Sequence, residues 1–385
     1  MLGRMRTRES AAIMKRAARI IQDERIAIII FDRLRRRATH VCLWACCGLI
    51  LASVPVFAQN QQNQTPAPSG PTLKVSTEVV DVYAIVEGKH HDLIPNLQKQ
   101  DFEVTEDGAS QQIKYFTRET DTPLTIGLMV DTSPSQQHVL PIEQQQAKAF
   151  LDQVMRPKDL TFVLHFDLDV ELLQDFTADR RLLAKAIDET QINGGGQGPV
   201  PGTFPGSSTP CCTHLYDAVY LASNDLMRSE VGRKVLILLT DGVDEGSKER
   251  LDVALESAQK SNIIIYSIDI SDAGFYFTRG FGFGGGGEGV LKKLSEETGG
   301  RIIKVKNQKE TAAAFQQIAD ELRTQYLLGY TPSNAKHDGS FRKIRVRVTN
   351  TAYKVQARRG YYAPSDRVSG GTKGGSSWIQ ASNTR

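Results

Sequence analysis

At 385 residues the chain has room for a full-sized α/β domain and one smaller unit. Its formal charge of +3 hides an asymmetry: the first forty residues carry eleven Lys and Arg against four Asp and Glu, a net of +7, which leaves the rest at −4. A mildly acidic body argues against nucleic acid as a partner. Of five cysteines, Cys42, Cys46 and Cys47 sit in one apolar stretch, so neither a disulfide framework nor a zinc site is expected.

The basic stretch ends in Arg35, Arg36 and Arg37, and an uncharged run over 41–57 follows, closing at Val56-Phe57-Ala58. Positive residues, an apolar run and small residues at its end predict a secretory signal over 1–58, cleaved after Ala58. An uncleaved membrane anchor is the alternative, although the run is short for a span and contains Pro55. A second apolar stretch at 26–31 fits either a true translation start near Leu34 or a cytoplasmic amphipathic helix. Residues 59–71 (QNQQNQTPAPSGP) form a polar linker with nothing to bury.

Over 72–121 the pattern is β, with runs at 73–86, 102–106 and 112–116; Asp107-Gly108 between the last two predicts a hairpin. From 122 to 325 strands alternate with helices. Strands are predicted at 124–130, 160–166, 170–176, 235–240, 263–270 and 301–305, and helices at 136–155, 180–190, 214–227, 248–260, 290–298 and 311–323. Near-continuous apolar strands interleaved with helices indicate an α/β, doubly wound, mostly parallel sheet covered on both faces. A C-terminal β segment follows over 326–364, with runs at 326–330, 341–348 and 353–359, and then a low-complexity tail over 365–385. Each flanking β segment is too short for its own core, and domain termini are often neighbours. The two segments are therefore expected to form one small β-sandwich, with the α/β domain inserted between its halves.

Asp131, Ser133 and Ser135 leave the end of the 124–130 strand as DTSPS, and Asp241-Gly242 leaves the 235–240 strand. In a doubly wound sheet the carboxyl ends of the strands form the binding crevice. Short oxygen-bearing side chains at alternate positions there can converge on a hard divalent cation. Read alone, DTSPS is also a polar strand-to-helix turn with Ser133 or Ser135 as N-cap.

With Thr213 opening an amphipathic helix, the set D-x-S-x-S, Thr and TDG resembles the metal-ion-dependent adhesion site of von Willebrand factor type A domains. Residues 82–116, TDGVDEGS, YLLGYTPSNAKHDGSFRKIRVRV and ARRGYYAP further resemble the von Willebrand factor A-related proteins abundant in Acidobacteria. The resemblance implies a Rossmann-like domain in which Ser133, Ser135 and Thr213 coordinate Mg²⁺, with Mn²⁺ or Ca²⁺ as alternatives. It implies that Asp131 and Asp241 act largely through bound waters. Thr209 is the fallback for Thr213, because Cys211-Cys212 stand where the family usually has glycines. Neutral direct ligands leave the cation most of its field, which suits a carboxylate arriving from a partner. Asp244, Glu245 and Ser247 read as loop and helix-cap residues.

Two glycine-rich loops, 193–210 and 273–289, lack the Lys-Ser/Thr or tight G-x-G-x-x-G endings of phosphate cradles. They read as mobile insertions or, through Phe275, Tyr276, Phe277, Phe281 and Phe283, as partner contacts. Adjacent Cys211 and Cys212 in an exported chain suggest a strained vicinal disulfide. His138, His165 and His214 occupy no recognisable nucleophile setting, and no enzyme is expected. The expectation is an exported, Mg²⁺-dependent adhesion module at the periplasm, cell surface or outside the cell. Its partner would be a protein or surface ligand offering a carboxylate, and a membrane would be met only through the signal or anchor. The rival is a structural component of an envelope or secretion assembly in which the metal merely secures the crevice.

Overall fold

The computed structural model describes residues 79–118, 122–193, 213–270 and 286–365. The signal, the linker, Cys211-Cys212, Thr209, most of both glycine-rich loops with their aromatics, and the tail lie outside them. Among the described residues no helix is long and apolar enough to cross a membrane.

Six strands form the central sheet: β5 (Leu124–Asp131), β6 (Leu160–Phe166), β7 (Val170–Thr177), β8 (Arg233–Thr240), β9 (Ile263–Ile270) and β10 (Ile302–Val305), in the order β10-β9-β8-β5-β6-β7. All neighbours are parallel except β6 and β7. Only residues 167–169 join that pair, too few for the crossover a parallel neighbour needs. The three central strands β5, β8 and β9 are buried along their whole length. Both faces are covered: Leu128 and Val130 pack toward helices α1 (Leu140–Val154), α2 (Arg180–Glu189) and α6 (Gln308–Thr324), while Met129 packs toward α3 (Leu215–Leu221), α4 (Leu251–Lys260) and α5 (Gly286–Thr298).

Local chemistry sets the helix ends. Asp179 caps α2 by accepting from Arg181 N at 2.9 Å, and Asn307 caps α6 by accepting from Glu310 N at 3.0 Å. Helix α4 begins three residues later than the sequence pattern predicts, because Lys248 N and Glu249 N donate to the Asp217 carboxylate instead of joining the helix. Helix α3 passes after Leu221 into a π-helical turn, Ala222–Leu226.

The flanking segments contribute two antiparallel four-stranded sheets, and each takes strands from both ends of the chain. One runs β13-β1-β11-β4, from β13 (Lys354–Ala357), β1 (Val80–Glu87), β11 (Tyr326–Tyr330) and β4 (Ile113–Arg118). The other runs β14-β12-β2-β3, from β14 (Gly360–Tyr362), β12 (Phe341–Val348), β2 (Phe102–Glu106) and β3 (Ala109–Gln111). Val80, Val82, Phe102, Val104, Tyr326 and Ile344, drawn from both sheets, share one apolar cluster.

Two differences from the sequence pattern concern these sheets. Asp107-Gly108, with φ of 48° and 87°, closes a hairpin between β2 and the short β3 only. The chain then steps at Gln112 into the other sheet, where β4 pairs with β11. Likewise the predicted 353–359 strand ends at Ala357, and β13 and β14 belong to different sheets. Alternation reports which face a side chain takes, not which partner its strand has.

Candidate metal centre

The carboxyl edge of the central sheet gathers the candidate residues. Asp131 is the last residue of β5 and fully buried. Its Oδ1 accepts from Ser133 N at 2.9 Å and its Oδ2 from the Thr240 hydroxyl at 2.5 Å, so the end of β8 holds the end of β5. Pro134 opens a 3₁₀ turn over Pro134–Gln136, which brings Ser133 Oγ and Ser135 Oγ to 3.0 Å from each other. The proline stiffens the loop and keeps both hydroxyls on one side. Gln136, also fully buried, donates through Nε2 to Ser135 Oγ at 3.2 Å.

Asp241 and Thr213 are placed by backbone. Thr213 N donates to Glu245 O at 3.1 Å and Glu245 N returns the bond to Thr213 O at 2.9 Å, which ties the Thr213 segment to the loop after Asp241. His214 N donates to Asp167 O at 2.9 Å, and Asp167 Oδ2 accepts from the Thr132 hydroxyl at 2.6 Å, which ties it to the DTSPS loop. Asp244 Oδ1 accepts from Tyr216 N at 3.0 Å and from Ser247 Oγ at 2.6 Å, and Ser247 Oγ accepts from Asp217 N at 3.2 Å, so these two side chains cap α3. Gly242 has φ of 79°, and a Cβ on Gly287 would stand 2.0 Å from Asp241 O. Only glycines allow the first turn of α5 to rest on the Asp241 loop, where the positive end of the helix dipole favours negative charge.

Acids dominate this edge, with Lys304 as a counter-charge to Asp269. Burial, then repulsion from Asp241, pushes the Asp131 carboxyl up to about 7. The same two causes push Asp269, near the end of β9, to about 6. Burial, then Asp131 and Asp241, drives Glu143 of α1 well above the usual carboxylate range. Glu143 is fully buried, and neither of its carboxylate oxygens has a hydrogen-bond partner. Hydroxyl and carboxylate oxygens with surplus negative charge suit a hard divalent cation. Among the described residues no group of three or more His, Cys, Asp and Glu is arranged to hold a metal by itself, so a cation here would need the serine and threonine hydroxyls.

Sequence reading missed Glu143, Gln136, Thr240, Thr132 and the structural part of Asp167. For Glu143 a signal existed: with Leu140, Ala147, Leu151 and Val154 it falls at helical spacing on the buried stripe of α1.

The central sheet is mostly parallel and carries D-x-S-x-S, Thr and TDG at its carboxyl edge. The α/β body is similar to structures of the von Willebrand factor A type. Solved structures similar to it include the von Willebrand factor type A protein from Catenulispora acidiphila, with a TM-score of 0.41 and 13% identity over 71% of this chain and 75% of that one. The conserved hypothetical protein BatB from Bacteroides thetaiotaomicron has a TM-score of 0.38 and 14% identity over 51% of this chain and 98% of its own. Proximal thread matrix protein 1 of the mussel byssus, with a zinc-occupied MIDAS motif, has a TM-score of 0.42 and 16% identity over 57% and 50%. No family model matches the sequence. An uncharacterized protein of Borreliella burgdorferi is 24% identical over 234 residues, 58% of this chain, and the chain spans 62% of that relative's length.

Proposed function

We propose that the chain is an exported von Willebrand factor A-type module that binds a partner's carboxylate through a divalent cation, Mg²⁺ before Mn²⁺ or Ca²⁺. Ser133, Ser135 and Thr213 would hold the cation through hydroxyls, with Asp131 and Asp241 behind them. A bound divalent cation supplies a coordination position that an outside carboxylate can fill. The observation that carries this reading is the pair of serine hydroxyls 3.0 Å apart, beside an aspartate already fixed by Ser133 N and Thr240.

We read the two flanking sheets as one sandwich that carries the inserted module, because their side chains share a core. We read the module as a binder and not an enzyme. Thr132 lies within hydrogen-bond reach of His165 Nδ1, at 3.0 Å, and of Asp167, which gives the group the outline of a nucleophile set. Yet Thr132 is fully buried and its proton is directed at Asp167, so the group works as a clip between loops. The burial of Asp131, Ser133, Ser135, Thr213 and Asp241 also favours a second reading, a cation that secures an envelope component.

The test is titration calorimetry with Mg²⁺ on the full chain and on Asp131→Asn, which loses the charge, keeps an acceptor for Ser133 N and can pair with Thr240 only with the hydroxyl reversed to accept. Binding by the parent and its loss in the variant are expected; equal binding would sink the metal site. Envelope extract passed over the immobilised chain with Mg²⁺ and with EDTA separates the readings. Partners held only with Mg²⁺ support adhesion, and partners held equally support the structural role.

A further inference from the structure

Glu143 does no work in the scheme above. It lies in the first turn of α1, fully buried, and neither carboxylate oxygen accepts a hydrogen bond from any described residue. Gln136, four residues before the helix starts, is in the same condition: its Nε2 is engaged by Ser135 Oγ while its Oε1 has no donor. Unpaired buried acceptors are rare and costly, and a carboxylate is the costliest of them. The charges that act on Glu143 are Asp131 and Asp241, which repel it. Packing therefore does not explain why an acid is kept on an otherwise apolar stripe of Leu140, Ala147, Leu151 and Val154.

Three orphan acceptors on the α1 side of the serine loop ask for donors with surplus positive character. Water molecules on a divalent cation are such donors. We infer that Glu143 and Gln136 form the outer sphere of the cation site, accepting hydrogen bonds from waters bound to a cation that Ser133 and Ser135 hold. This rests on the metal reading proposed above. Mg²⁺ gives up its waters reluctantly, whereas Ca²⁺ takes more direct oxygen ligands at longer distances. An outer sphere of acceptors behind two hydroxyls thus selects for a cation that stays hydrated. Glu143 is a positioning residue here, acting through bound water.

The test compares the full chain, Asp131→Asn, Glu143→Gln and Glu143→Leu by Mg²⁺ and Ca²⁺ titration and by thermal unfolding with and without Mg²⁺. Removing an outer-sphere partner is expected to weaken Mg²⁺ binding by about 10-fold or more in Glu143→Gln, with a smaller loss for Ca²⁺. Without divalent ions Glu143→Leu should melt at or above the parent temperature, because an unpaired buried acid is gone. With Mg²⁺ it should gain less than the parent. If the parent binds no Mg²⁺, the metal reading itself fails. If the parent binds, Asp131→Asn does not, and Glu143→Gln binds both ions like the parent, only the outer-sphere assignment is overturned. A Glu143→Leu that melts lower by the same amount with and without Mg²⁺ also overturns it, in favour of packing. Should Glu143→Leu fail to fold, the affinities of Glu143→Gln decide.

Discussion

Two buried carboxylates in this molecule stand in opposite conditions. Glu106, buried at the end of β2, accepts from the hydroxyls of Tyr330 at 2.8 Å and Tyr361 at 3.0 Å, and Arg342 Nη1 approaches at 3.4 Å. Burial, helped by Glu106, holds both tyrosines protonated far above the usual phenol range, so they serve as permanent donors. Asp131, equally buried, meets only neutral donors and a repelling neighbour, Asp241. A buried acid with its own cation is part of the scaffold. One that faces other acids is set up for something the chain does not supply.

The largest effect should separate the two. Glu106→Ala leaves Arg342 buried without its carboxylate and should cost about 3–5 kcal/mol in denaturant unfolding. A loss under about 1 kcal/mol would mean that the flanking core does not depend on the balanced set. Asp131→Asn, by contrast, should leave metal-free stability unchanged or raised, since it removes the repulsion with Asp241.

The next test adds the missing charge. At Mg²⁺ a hundredfold above its dissociation constant, linkage predicts about 2.7 kcal/mol of added stability for the parent. The same addition should do nothing for Asp131→Asn. Equal stabilisation of both would place any bound Mg²⁺ elsewhere in the chain.

How much of this was legible in the sequence follows from what each residue neighbours. Asp131, Ser133, Ser135 and Asp241 could be located because they leave unmistakable apolar runs that become β5 and β8. Thr213 could be located because LYDAV after it keeps helical spacing, and α3 does start at Leu215. Glu143 was lost in the polar run EQQQ, where composition outweighed its position on the buried stripe. The switch at Gln112 between sheets was illegible because strand alternation carries no information about the partner strand. The antiparallel β7 was legible in principle from its three-residue connection to β6.

A smaller perturbation probes the helix dipole that offsets the acids. Gly287→Ala must push the first turn of α5 off Asp241 O, because the added Cβ would stand 2.0 Å away. We expect a loss of about 1–3 kcal/mol together with weaker Mg²⁺ binding, read by unfolding and calorimetry. Lost stability with unchanged Mg²⁺ affinity would show that α5 supports the fold alone.

The smallest effect concerns the clip. Thr132 Oγ1 donates to Asp167 Oδ2 at 2.6 Å, while Asp167 Oδ1 also accepts from Asn193 Nδ2 at 3.1 Å and Asp169 N at 3.2 Å. Asp167 is thus supported from three sides, and unlike Asp131 it loses only one donor when Thr132 changes. Thr132→Val keeps the shape of a fully buried side chain and deletes only the hydroxyl. The cost should be about 1–2 kcal/mol, measured by denaturant unfolding. Because the clip joins the serine loop to the segment carrying Thr213, Mg²⁺ affinity should fall a few-fold and stay well above that of Asp131→Asn. A drop as deep as that of Asp131→Asn would show that loop registration, and not the charge of Asp131, controls the cation site.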